Sequence, residues 1–265
     1  VTDGGWERRL FASIDPDRPG ADVAGMIAAC RADAVPVGNE GLWRVSRTDF
    51  TRLGLVAQFR MAPSMGGFPT LTMLQHRRAK PLAPGDPSWC PRNLVENEWH
   101  CVMEDSPGEL SRHLPILLVA RGRVLVTGLG LGCVVRGLLS KPGVDHVTVI
   151  EVDAGVIRLC WTPDLRDNPR VSLLEGDALT LDHPSEARWD YAWHDIWDRG
   201  ECEAPLHVAL IERYASLVSR RQGAWMIGVH CHRSIDRQLL GGKRRPRRYA
   251  RALLDQAESR GEGRA

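Results

Sequence analysis

Between Arg123 and Asp153 the chain alternates short apolar runs with glycines and then stops on acids. The run at 124–126 reads as a strand, since a brief apolar run bounded by turn residues suits a strand buried on both faces. Glycines follow at Gly128, Gly130 and Gly132, then an apolar helix over 133–140 and a second strand over 147–150 that ends on Glu151. The alternation continues. A helix is expected over 153–161, and a third strand over 171–174 before Glu175-Gly176-Asp177-Ala178. A fourth strand over 191–194 precedes Asp195-Ile196-Trp197-Asp198. A helix over 204–220 carries Leu206, Leu210, Tyr214 and Leu217 on one face, and a fifth strand is expected over 224–229. Strands alternating with helices predict an α/β fold, a Rossmann-like doubly wound sheet.

The first hundred residues pattern differently. Apolar residues at helical spacing predict a helix over 21–32, and strand-like stretches follow at 42–45, 53–61, 70–74 and 98–103. The segment 80–93 is rich in proline and reads as a loop. These features suggest a small β-rich N-terminal module over 1–104, a cofactor-type domain over 105–240 and a basic tail over 241–265. Ser106, Pro107 and Glu109 form a helix start, with a capping serine, a proline at the first helical position and a capping-box acid. Pro115 is expected to kink or divide that helix.

Glycine loop and acids together suggest a ligand. In open α/β sheets, ligands bind beyond the carboxyl ends of the strands, and three successive strand tips here carry acids. Glycines let backbone approach a ligand where a Cβ would clash. Glu151 is placed to accept from both hydroxyls of a ribose, each charge-assisted bond contributing about 1.5–3 kcal/mol. The loop reads G-x-G-x-G, with Cys133 after Gly132. A nicotinamide dinucleotide needs G-x-G-x-x-G/A and a helix N-terminus for its pyrophosphate. The spacing present suits S-adenosylmethionine (SAM), which has no phosphates.

These residues resemble a known family. The sequence is similar to class I SAM-dependent methyltransferases, and within them to the spermidine-synthase branch, over roughly residues 98–225. The likeness rests on His113-Leu114-Pro115, RVLVTGLGLG, VTVIEVD, LLEGDA and the D-x-x-D of Asp195 and Asp198. It implies a cofactor site of Gly128, Gly130, Gly132, Glu151, Asp153, Asp177, Ala178 and Asp195. Glu151 would hold the ribose and Asp177 the adenine, with Asp195 beside the sulfonium and Asp198 facing the acceptor. Asp195 and Asp198 are the implied catalytic pair. The chain departs from that branch at Leu131, where the family usually carries an acid. It departs again at Ile196, Trp197 and Arg199, in and after the paired acids. The His-Asp-Ile-Trp strand end also resembles small methyltransferase-like proteins of actinobacteria and their phages. The expected activity is methyl transfer to an undetermined acceptor, with a small molecule or, through the basic tail, RNA among the candidates. Aminopropyl transfer from decarboxylated SAM to a polyamine-like acceptor is the alternative, and a non-catalytic nucleic-acid-binding protein is a third. The antiparallel hairpin that usually closes a methyltransferase sheet is expected to be shortened or absent.

Composition narrows the classes. Apolar residues make up 43% and charged residues 26%, which is ordinary for a globular chain. No apolar run reaches the roughly 18 residues that span a bilayer, and the first residues lack the apolar core of a signal peptide. Seven cysteines without a C-x-x-C pair argue against a disulfide framework and a zinc ribbon, so a cytoplasmic setting is expected. The net charge of +2 hides an asymmetry: residues 212–251 hold eleven Lys or Arg against two acids, about +9, leaving about −7 elsewhere. The run 243–248 could bind RNA phosphates or lie solvated as a tail. The chain lacks the D-P-P-Y type segment of amino-methylating DNA enzymes and the Pro-Cys of cytosine-C5 enzymes. His194 reads as structural. Adjacent residues on a strand face opposite ways, so His230-Cys231-His232 is a poor metal site and none is expected.

Overall fold

The computed structural model describes residues 23–49, 69–77, 99–184, 186–196, 204–224 and 228–230. Helix α1 (Val23–Ala29) leads into an antiparallel sheet of β1 (Gly38–Glu40), β2 (Trp43–Asp49), β3 (Thr70–Arg77) and β4 (Trp99–Glu104), in that order. On β2 and β3 the apolar partners Val45 and Leu74 are buried opposite each other. Between β3 and β4 the register slips, so that Leu74 pairs with Met103 and Gln75 with Cys101. The extra residue is Val102. In a regular strand neighbouring side chains face opposite sides; the bulge turns both Val102 and Met103 toward one cavity.

Asp105 ties this sheet to neighbouring elements. Its fully buried carboxylate accepts from the Ala32 N–H (3.1 Å) and the Thr72 N–H (2.7 Å) and pairs with Arg31 at 3.2 Å. Next come α2 (Pro107–Leu110), a 3-10 turn over Ser111–His113 and α3 (Leu114–Val119). Ser106 Oγ accepts the Glu109 N–H at 3.3 Å, as a capping residue does. The helix is divided where expected. Pro115 lies in the first turn of α3, where its missing N–H has no intrahelical acceptor to lose.

The main sheet is built from β5 (Gly122–Thr127), α4 (Cys133–Leu139), β6 (Val144–Glu151), α5 (Ala154–Cys160), α6 (Pro163–Arg166), β7 (Val171–Glu175), β8 (Trp189–His194), α7 (Ala204–Tyr214), β9 (Val218–Ala224) and β10 (Gly228–His230). Its order is β10-β9-β8-β5-β6-β7, with β9 through β7 parallel and β10 antiparallel. This is the expected Rossmann-like α/β sheet beside a β-rich N-terminal sheet. Both faces are covered, with alternate residues going to each side. Val124, Val126 and Trp193 join the larger core, which also takes in Val45 and Leu74 of the antiparallel sheet. Leu125, Ala192 and Ile150 pack on the other face against Leu210 and Tyr214 of α7.

Two expectations near the C-terminal end need correction. Helix α7 stops at Tyr214 rather than 220, and the fifth strand is Val218–Ala224 rather than 224–229. Leu217 continues the helical spacing, but a turn intervenes and its N–H bonds to the Tyr214 carbonyl. The stretch Ser219-Arg220-Arg221 is exposed within β9, and that polar run conceals the strand in the sequence. An antiparallel strand is present, with Val229 opposite Gly223, so that feature is not wholly absent. The expected strand at 53–61, the loop 80–93 and the basic run 243–248 lie outside the described residues. Among the described residues no helix is long and apolar enough to cross a membrane.

Candidate active site

The sheet order reverses between β5 and β8, and the chains leaving their carboxyl ends diverge there. Gly128 makes that junction possible. At its φ of 92° a Cβ would lie 1.9 Å from the Asp195 carbonyl oxygen, so only glycine lets the β8 tip cross the β5 loop. At Gly130, with φ 50°, a Cβ would lie 2.6 Å from Met103 Sδ, and that sulfur accepts the Leu131 N–H at 3.3 Å. Both glycines also line the cavity described below, and at each the neighbour that a Cβ would crowd is the protein itself. Gly132 precedes α4 and does not line the cavity. Just beyond it, Arg136 donates to the Leu131 carbonyl (2.6 Å) and pairs with Asp164 at 2.8 Å, which pins the loop.

A cavity of about 280 Å³ opens at these strand tips. Glu109, Glu151, Asp153, Asp177 and Asp195 line it, and no Lys or Arg does among the described residues. Three of these acids are engaged with backbone. Glu151, buried, accepts from the Leu129 N–H (2.8 Å) and the Asp153 N–H (2.9 Å), tying the β6 tip to the glycine loop. Burial raises the pKa of its carboxyl, and the N–H donors oppose that rise. Asp153 caps α5 by accepting from Gly155 and Val156. Asp177 accepts from the Leu179 N–H at 2.8 Å, shaping the turn that presents the buried Ala178. Asp195 is different. It is half-buried, and among the described residues no hydrogen bond or ion pair holds its carboxylate. Burial, reinforced by Glu109 and opposed by Arg112, pushes that carboxyl up to about 8.

The structure thus brings Gly128, Gly130, Glu151, Asp153, Asp177, Ala178 and Asp195 to one cavity. Asp198 and Trp197 lie outside the described residues, as do Cys231 and His232. His194 is fully buried on the face opposite Trp193. Gln222 donates through Nε2 to the Ile211 carbonyl, so its Oε1 accepts from His194 Nε2 (3.1 Å). Burial lowers the His194 pKa to about 4, and the neutral ring therefore accepts at Nδ1 from the Thr127 hydroxyl. Both ring nitrogens are committed to the core. Tyr214 on α7 donates to the Ala178 carbonyl at 3.0 Å and receives from His183 Nε2, buttressing the Asp177-Ala178 turn from below.

Sequence reasoning missed the contribution of the N-terminal sheet. Trp43, Leu74 and Met103 wall the cavity, and the buried Trp43 Nε1 has no hydrogen-bond partner among the described residues. Only β-sheet register places these distant residues there, so periodicity gives no sign of it. Glu109 was legible as a capping acid but not as a cavity residue. Its position in the first turn after β4 was the one available signal.

No family model matches the chain. It is similar to the polyamine aminopropyltransferase of Serratia proteamaculans, 29% identical over 97 residues, and to that of a Ruegeria species, 35% identical over 97. It is also similar to the spermidine synthase of Dictyostelium discoideum, 34% identical over 96 residues. Each match covers 34% of this chain and 34% of the relative, so the chain matches about a third of the length of these curated relatives. Among solved structures, the N-terminal domain of EvdMO1 with SAH bound aligns over 45% of this chain and 48% of its own, with 20% identity and a TM-score of 0.35.

Proposed function

We propose that the chain is a SAM-dependent transferase acting in the cytoplasm, with methyl transfer to a small-molecule acceptor as its first reading. One observation carries the proposal: an acid-lined cavity without a described Lys or Arg, at the carboxyl ends of parallel strands, beside a glycine loop. That donor set fits a sulfonium cation. Glu151 keeps lone pairs free for ribose hydroxyls beyond its two backbone bonds, and Asp177 with Ala178 faces the place of the base. The bound cofactor supplies an electrophilic carbon with its own leaving group, so the protein's task is largely alignment. Asp195, whose carboxylate no described residue holds, is the residue to take a proton from an acceptor N–H or O–H. Leu131 stands in the glycine loop where the spermidine-synthase branch usually carries an acid, and that departure favours methyl over aminopropyl transfer.

Aminopropyl transfer is the second reading, and a specific observation favours it too. The carboxylate of SAM needs donors, yet the cavity has no described Lys or Arg. The Gly128, Leu129, Leu131 and Gly132 N–H groups are already spent on Ile150, Glu151, Met103 and Leu129. Decarboxylated SAM makes no such demand. Calorimetric titration with SAM, S-adenosylhomocysteine and decarboxylated SAM separates the readings. Micromolar binding of the first two supports methyl transfer, preference for the third supports aminopropyl transfer, and binding of none rejects both.

A further inference from the structure

We propose that Met103 is a specificity-determining residue for the tail of the cofactor: a tail carboxylate gains the Leu131 N–H of the glycine loop only by displacing the Met103 thioether. The inference rests on the transferase reading above and adds the residue that weighs a cofactor with a carboxylate against one without. Among the described residues every charged side chain lining the cavity is an acid, so a ligand carboxylate must turn to backbone N–H groups. The glycine loop over 128–132 supplies them. Three of its N–H groups are held by strong acceptors. Gly128 donates to the Ile150 carbonyl (2.8 Å), Leu129 to the Glu151 carboxylate (2.8 Å) and Gly132 to the Leu129 carbonyl (2.8 Å). Leu131 differs. Its N–H meets Met103 Sδ at 3.3 Å, and a thioether is a weak acceptor. The neighbouring Gly130 N–H has no hydrogen-bond partner among the described residues. A carboxylate that displaced the thioether would therefore meet two adjacent donors.

Met103 reaches the loop from the N-terminal sheet, where the bulge in β4 turns it toward the cavity. Its sulfur lies against Gly130 on the side that a Cβ would fill, 2.6 Å from that position, and both residues line the cavity. The thioether thus covers the part of the loop that a ligand tail would use. An unbranched side chain with three rotatable bonds moves aside at little cost. Leu131 stays anchored when it does, because Arg136 Nη1 donates to its carbonyl at 2.6 Å. A charged oxygen is the stronger acceptor for the same N–H. A tail without a carboxylate has nothing to exchange for the thioether and leaves Met103 in place.

The test is calorimetric titration of the full chain with S-adenosylhomocysteine and with S-adenosyl-3-thiopropylamine, which lacks only the carboxylate. Met103→Ala should raise the affinity ratio of the first ligand to the second about tenfold, the effect of one hydrogen bond to a charged group. Met103→Leu keeps most of the apolar bulk but cannot accept the N–H, and should raise the ratio about threefold or more. A merely structural Met103 would weaken both ligands alike. An unchanged or lowered ratio in folded Met103→Ala overturns the assignment. Should that variant fail to fold, Met103→Leu decides by the same measure. Binding of neither ligand by any of the three proteins rejects the transferase reading and the inference with it, whereas binding at an unchanged ratio rejects the inference alone.

Discussion

Replacing Asp195 with asparagine should stabilise the protein at neutral pH while lowering turnover. The carboxyl of Asp195 is raised from 3.8 to about 8, chiefly by burial and then by Glu109. An acid whose pKa is raised in the folded state holds its proton more tightly folded than unfolded. Between about pH 4 and pH 8 the native state therefore binds more protons than the unfolded chain, and stability falls as pH rises through that window. Below it the contribution is fully present; above it the contribution is gone. Each pH step carries about 1.4 kcal/mol, which sets an upper bound of ~6 kcal/mol over the interval. Asp195 is only half-buried, on a cavity open to solvent, so screening reduces the effect to roughly 1–3 kcal/mol. Asparagine has nearly the same shape and no titrating proton. Urea unfolding of both proteins at pH 4.5, 6 and 8 measures the difference. The variant's advantage should be smallest at the lowest pH and reach roughly 1–3 kcal/mol at the highest. Parallel stability curves across the three values would refute the argument, because Asp195 would then titrate alike in both states.

Other substitutions probe the frame. Glu151→Gln keeps one acceptor oxygen but turns an NH₂ group toward the Leu129 or Asp153 N–H. It should destabilise the chain by about 1.5–3 kcal/mol and weaken S-adenosylhomocysteine binding at least tenfold by calorimetry. Gly128→Ala forces a Cβ within 1.9 Å of the Asp195 carbonyl at a φ of 92°. A loss of about 3 kcal/mol or more is expected in urea unfolding, and a loss below about 1 would mean that the β8 tip can move aside. Tyr214→Phe removes the donor to the Ala178 carbonyl. A decrease of about 1–2 kcal/mol in unfolding free energy is expected, with no change if water replaces the phenol.

The sequence itself carried the parallel sheet. Runs such as Val124-Leu125-Val126 bury both faces, and such a run between glycines and helical spacing has few other solutions. The glycine loop and the acids Glu151, Asp177 and Asp195 were legible for a related reason: each lies one to three residues beyond a recognisable strand, so chain order alone brings them to one edge. Strand β9 was misread because Ser219, Arg220 and Arg221 make its exposed middle polar, and only pairing with β8 holds it extended.

Tertiary structure decided the rest. That Glu151 spends its carboxylate on the glycine loop, that Gly128 is shaped around Asp195, and that His194 is locked in the core are contacts between residues far apart in sequence. The same holds for the wall that Trp43, Leu74 and Met103 bring from the antiparallel sheet, and for Glu109, which lines the same cavity as Asp195. Local periodicity records which face of an element is apolar. It does not record which other element that face will meet, and the charge balance of this cavity is set by those meetings.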